Sequence, residues 1–165
     1  MMNRSQKADV EFLFSSWKNH GLLDYVACWY KKAAEFIRNT AINCAFVSTN
    51  SITQGEQVAA LWKTLLQKYG IHINFAYREF VWDSEAQIKA QVHVVIIGFS
   101  LIQSERIILF DQREIKEAKN INGYLMDAPY CFVERKNKPI CKVPQMYLGC
   151  SFYDGNNLVL TPDEK

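Results

Sequence analysis

Apolar positions recur along the first half of the chain with a period that changes from segment to segment, and the changes mark out elements. In "SQKADVEFLFSSWKNHG", Val10, Leu13, Phe14 and Trp17 fall at helical spacing and the run stops at Gly21, which predicts a first helix. A second helix follows Leu22, with Val26, Tyr30, Ala33 and Ile37 as its buried stripe and Lys31, Lys32, Glu35 and Arg38 mainly on the wet side. Residues 42–48 are too few and too uniformly apolar for a helix and predict a buried strand. Val58, Leu61, Trp62, Leu65, Leu66 and Tyr69 then recur at i, i+3, i+4, i+7, i+8 and i+11 and end at Gly70, the plainest helix in the chain. "IHINFAY" alternates, with Ile71, Ile73, Phe75 and Tyr77 on one side and His72, Asn74 and Ala76 on the other, as in a half-covered strand. "VHVVIIGF" at 92–99 is apolar on both faces, as an interior strand is. Between these two, "REFVWDSEAQIKA" reads as an irregular connection. The order of elements predicts an α/β fold with a sheet of at least three strands.

Beyond residue 100 the periodicity fades. "SERIILFDQREI" predicts one more strand, and all four prolines and the basic cluster "ERKNK" lie after it. The expected organisation is therefore a first domain over 1–110 and a loop-rich segment over 111–165. One polar stretch stands out, "TNSITQGEQ", between the first strand and the periodic helix. Thr53 and Glu56 have the T-x-x-E spacing of a capping box, which accounts for the threonine and the glutamate. Asn50 has a different rationale, because it follows the carboxyl end of a strand, where ligands approach such sheets.

Composition narrows the class. Hydrophobic residues at 49% and aromatics at 13% are ample for a core, and the net charge of +2 is too mild to mark a nucleic-acid binder by itself. Five cysteines without a C-x-x-C pair fit a reducing compartment better than a disulfide framework. With no signal-peptide pattern and no apolar run near the ~20 residues of a membrane helix, a soluble cytoplasmic protein with no membrane partner is expected.

Motif chemistry is sparse. There is no G-x-S-x-G, H-E-x-x-H or phosphate-binding G-x-x-x-x-G-K-[ST], no two glycines are one residue apart, and no two prolines adjoin. Cys131, Cys141 and Cys150 are too loosely spaced for a zinc ribbon, and His72 and His93 lie within strands, where sheet packing explains them.

The blocks "DYVACWYKKAA", "AFVSTNSITQGEQV" and "VHVVIIGF", in this order, closely resemble adenine-specific DNA methyltransferases of the type IIG-like kind, which fuse modification with restriction in one long chain. The likeness continues more weakly through "NINGYLMDAPYCFVERKNKPICKVP" and "GNNLVL", where that family passes into its target-recognition region. The resemblance implies the distal half of a Rossmann-like class I methyltransferase sheet with flanking helices, followed by a loop-rich, partly β appendage. It also implies S-adenosylmethionine as cofactor of the intact enzyme and DNA as its partner, with adenine rotated out of the duplex for methylation. In the family, the glycine motif that binds the cofactor and the catalytic Asn-Pro-Pro-Phe both lie upstream of the block that begins here with "QKAD". The expectation is thus a piece that binds no cofactor and is inactive alone, with no catalytic residue of its own.

What remains to expect is one wall of the base pocket. The family's base-stacking aromatic stands just before the last strand pair, the place of Phe80 or Trp82, with Asn50 as a further wall; the plain alternative is that these cap the core. Arg78, Arg135, Lys136 and Lys138 are candidates for DNA backbone contact, set against solvated turns and surface ion pairs. Asn156 and Asn157 in "YDGNN" read first as a turn. Two further readings stay open: a binding or assembly module that self-associates through its sheet edge, and a complementing subunit for an upstream methyltransferase half.

Overall fold

The structure is a computed structural model of the 165-residue chain that describes residues 2–82, 92–111, 114–134, 136 and 141–144. It divides into two compact units, Met1–Arg135 and Lys136–Lys165. In the second unit the described residues carry no helix or strand.

The first unit is a mixed sheet with helices: α1 (Arg4–Phe14), α2 (Ala27–Phe36), β1 (Cys44–Thr49), α3 (Gly55–Gln67), β2 (His72–Trp82), β3 (Val92–Ser100), β4 (Ile107–Asp111) and β5 (Glu114–Ala118). The strands lie in the order β1-β3-β2-β4-β5. Strand β3 is antiparallel to both β1 and β2, so those two run parallel to each other, with α3 as their crossover. Strand β2 pairs in parallel with β4, and β4 turns back into β5. The expected α/β architecture is present. No helix among the described residues is long and apolar enough to cross a membrane.

Helix α3 anchors the core as its periodicity requires. Val58, Leu61, Trp62 and Leu65 are fully buried, each aliphatic one contributing about 1.5–3 kcal/mol relative to exposure. Tyr30 of α2 meets Trp62 edge-on at 5.4 Å and stacks on Phe99 of β3 at 5.7 Å, so both helices close on the same sheet face. Burial raises the pKa of the Tyr30 hydroxyl, against the lowering effect of its hydrogen bond with Ser48 Oγ at 2.9 Å. Gly70 ends the helix segment at φ +69°, a left-handed position that glycine takes without penalty.

Several expectations are corrected. The first helix ends at Phe14, not near Gly21; the chain turns, Trp17 packs edge-on against Phe14 at 5.0 Å, and Asn19 takes a left-handed φ of 60°. Lys31 is not on the wet side: it is 8% exposed, its ammonium 6.0 Å from the centre of the Phe14 ring and paired with Glu35 one turn on. The packing of α1 over α2 buries its methylene stem, and the acid neutralises its tip. At Glu35 burial acts to raise the pKa, but hydrogen bonds from Lys31 and the Tyr69 hydroxyl prevail and lower it.

Strand β2 does not alternate strictly. A bulge between Ile73 and Phe75 shifts the phase, so Ala76, expected on the polar side, is fully buried. The inserted Asn74 donates to Ser100 Oγ at 2.8 Å and accepts from Ser104 N at 2.9 Å, tying the bulge to the β3–β4 link. The strand also runs on through Trp82, into the segment expected to be irregular, and residues 83–91 lie outside the described residues. Where one strand was expected after residue 100, the described residues form two, β4 and β5.

The capping box at Thr53 does not form either. Residues Asn50–Thr53 make a 3₁₀ turn closed by the Thr53 hydroxyl donating to Asn50 O at 2.8 Å, and α3 starts after Gln54. A capping box does exist, on α1. There Asn3 Oδ1 accepts from Gln6 N at 2.9 Å, and Asn3 N donates to Gln6 Oε1 at 3.0 Å.

Candidate functional site

The parallel pair β1 and β2 defines one ligand-facing edge of the sheet, at the carboxyl ends of both strands. Thr49 at the end of β1 pairs with Val94, and Val94 pairs with Phe80 near the end of β2. Asn50 follows Thr49 and is half-buried. Two of the expected wall residues, Asn50 and Phe80, therefore stand at the same edge with β3 between them, about 10 Å apart by strand spacing.

A second bulge in β2, between Tyr77 and Phe80, decides what the edge presents. An uninterrupted strand would put residues 77 and 80 on opposite faces. The bulge brings the Tyr77 and Phe80 rings edge-on at 5.1 Å, while Phe80 and Trp82 lie tilted at 6.4 Å. Tyr77 in turn stacks on Phe110 of β4 at 5.7 Å. Four aromatic rings thus run across the end of the sheet. Phe80 is half-buried, whereas Trp82 is 49% exposed. Tyr77 and Phe110 were not singled out as site residues from the chain, because only the bulge aligns them with Phe80.

The rings Tyr77 and Phe80 line an open depression of about 770 Å³, together with Arg78, Glu79, His93 and Asp111. Its polar groups are engaged in pairs. Arg78 Nη1 lies 2.7 Å from Asp111 Oδ2, and Glu79 pairs with His93 Nδ1 across β2 and β3. Glu79 also accepts a long hydrogen bond from Gln54 Nε2 at 3.5 Å, which links the bulge to the start of α3. This wall offers π-faces more than net positive charge, which suits stacking on a base better than holding a phosphate. Of the remaining candidates, Lys136 is exposed and belongs to the second unit, while Arg135, Lys138, Asn156 and Asn157 lie outside the described residues.

The first unit is thus a mixed five-stranded sheet with flanking helices that carries an aromatic depression at one end. Residues 1–111 match the family described as "MmeI, DNA-methyltransferase domain", and the chain belongs to that family. It is 40% identical over 163 residues to DNA methyltransferase A of Bacillus subtilis (strain 168), a match covering 98% of this chain and 18% of that protein. Among solved structures it is similar to the type IIL restriction-modification enzyme MmeI in complex with DNA, at a TM-score of 0.81 and 47% identity over 87% of this chain and 20% of that one. The chain thus spans about a fifth of the length of these relatives.

Proposed function

We propose that this chain is the part of an S-adenosylmethionine-dependent, adenine-specific DNA methyltransferase of a cytoplasmic restriction–modification system that walls the target-base pocket, and that it transfers no methyl group by itself. The observation that carries this is the Tyr77–Phe80–Trp82 cluster, gathered by the bulge at the carboxyl edge of the parallel strands. An exocyclic adenine amine is a poor nucleophile, since its lone pair is delocalised into the ring. A stacking wall assists by holding the extruded base in one orientation, and each stacked base contributes about 1–3 kcal/mol. Asn50 and the tilted Trp82 would border that base, and Arg78 stands beside it, held by Asp111.

In this reading the cofactor of the intact enzyme is held by residues other than those of this edge. The turn after β1 is a 3₁₀ turn closed by Thr53 and not a glycine loop, and the Glu79 carboxylate is engaged by His93 and Gln54. Transfer of labelled methyl groups from S-adenosylmethionine to duplex DNA tests the proposal. No label is expected with the chain alone. Label is expected on the adenine amine once a polypeptide carrying the glycine and Asn-Pro-Pro-Phe motifs of a close relative is added. Methylation by the isolated chain would overturn the assignment.

One observation favours a second reading, an assembly role. Strand β1 is an edge of the sheet among the described residues, and Val47, Ile96, Tyr77, Phe110 and Ile115 form one cross-strand row on the face opposite α2 and α3. Val47 is 51% and Ile115 71% exposed, an apolar edge and face of the kind other chains cover. Analytical ultracentrifugation reads this directly: concentration-dependent dimers support it, and a monomer at all concentrations removes it.

A further inference from the structure

Beyond the residues matched by the family description, the chain returns to the site. Residues 119–129 form a strap held by its own side chains. Asp127 Oδ1 accepts from Lys119 N at 2.9 Å and from Asn120 N at 3.1 Å, and Ile121 bridges Asp127. Asn122, 3% exposed, accepts on Oδ1 from Tyr124 N at 3.0 Å and from Met126 N at 3.2 Å. Inside this bracket Leu125 sits at φ +54°, a left-handed conformation that a leucine rarely adopts. Its side chain is 2% exposed and, with Ile121, is part of the core. The strained residue is therefore an anchor, and it fixes the direction of its neighbours.

Those neighbours line a hollow that adjoins the site only at the bulge of β2. Tyr124, Leu125 and Met126 line a cavity of about 350 Å³ whose other walls include Gln54, Arg78 and Glu79. Arg78 and Glu79 also line the larger aromatic depression, so the two hollows share the bulge of β2. The polar groups at this junction are engaged with one another, Glu79 with Gln54 and His93, and Arg78 with Asp111. An anion at the start of α3 would have to displace the Glu79 carboxylate. What the strap presents instead is Met126, 50% exposed and apolar.

We propose that the strap is a further wall of the DNA site and that Met126 packs against a nucleobase of bound DNA. The proposal rests on the DNA reading above. A thioether is soft and makes favourable contacts with aromatic rings, and methionine is among the apolar side chains that proteins set against base steps. The rigid bracket gives the chemical reason for the strain: a flexible side chain gains most from ordering when its backbone is already fixed.

Fluorescence anisotropy of a labelled duplex carrying one unpaired adenine tests this with the full chain, its Met126→Ala, Met126→Leu and Phe80→Ala variants. Met126→Ala is expected to weaken binding roughly 2- to 10-fold, with Met126→Leu near the parent because apolar volume is kept. Both Met126 variants should unfold at the parent temperature to within a degree or two, since Met126 lies half in solvent. If Met126→Ala binds as tightly as the parent while Phe80→Ala is weakened, the strap has no place in the site and the DNA reading stands. If the parent chain does not bind this duplex at all, the DNA reading fails, and the strap proposal with it.

Discussion

Trp62→Ala is expected to destabilise the protein by about 3–5 kcal/mol, the range for removing a fully buried aromatic from a core. Trp62 has no exposed surface and meets Tyr30 edge-on at 5.4 Å. The backbone of Gly123 approaches so closely that a Cβ added there would lie 2.8 Å from Trp62 Cβ, so on that side glycine offers no side chain to fill the space. The indole also donates from Nε1 to Ile52 O at 2.8 Å. Ile52 is itself fully buried in the turn that follows β1, so truncation strands a carbonyl as well as a cavity. Trp62→Phe separates the two effects, keeping most of the ring and losing only the donor, and should cost about 1–2 kcal/mol. Urea titration is the measurement. A lower midpoint at unchanged slope is expected, and a loss under about 1 kcal/mol for the alanine variant would show that Trp62 is not the keystone of this core. Because the same hydrogen bond steadies the Asn50–Thr53 turn, the site edge should loosen along with the core.

The core was legible along the chain because its pattern is local. The stripe of α3 repeats over a single helix, and β3 is apolar on both faces, so each needs only its own residues to be read. The misreadings share a cause in events set by partners far along the chain. Lys31 sits at a helix position that looks wet until α1 folds over it and supplies Phe14. Strand β5 shows almost nothing but exposed positions, as an edge strand does, and it becomes a strand only by pairing with β4. The two bulges of β2 carry no glycine or proline to announce them. Without the first, Ala76 reads as polar-facing; without the second, Tyr77 and Phe80 read as residues of opposite faces. Asn50 could be placed at the ligand edge because a strand's direction is enough to say which end it offers, whereas Phe80 was placed there by the family likeness and not by any strand pattern. The partner of Arg78, Asp111, lies 33 residues away, beyond any local pattern. The methyltransferase family came from the likeness of whole blocks, since no short motif in the chain carries that chemistry.

Asn122→Ala should have the second largest effect, a loss of about 2–3 kcal/mol concentrated in the strap. The side chain is buried, and its single oxygen accepts from two backbone groups, Tyr124 N and Met126 N. Alanine leaves both N–H groups without that acceptor, while the backbone bonds Asn122 N to Met126 O at 3.1 Å and Leu125 N to Asn122 O at 2.9 Å must hold the turn alone. They must do so against the left-handed Leu125, whose conformation costs on the order of 1 kcal/mol and persists only where the surroundings over-determine it. The expected outcome is local before it is global. Hydrogen exchange at the amides of Tyr124, Leu125 and Met126 should accelerate well before the amides of α3 respond, because those three belong to the strap and not to the sheet. Asn122→Asp keeps an acceptor oxygen in the same place and loses only the Nδ2 donor, whose 3.4 Å bond to Pro129 O is long. It should therefore recover the slow exchange at Tyr124 and Met126 even though burying a carboxylate lowers overall stability. Equal exchange in the parent and the alanine variant would mean that Leu125 is held in place by its core contacts, and that the Asn122 bracket is incidental to the position of Met126.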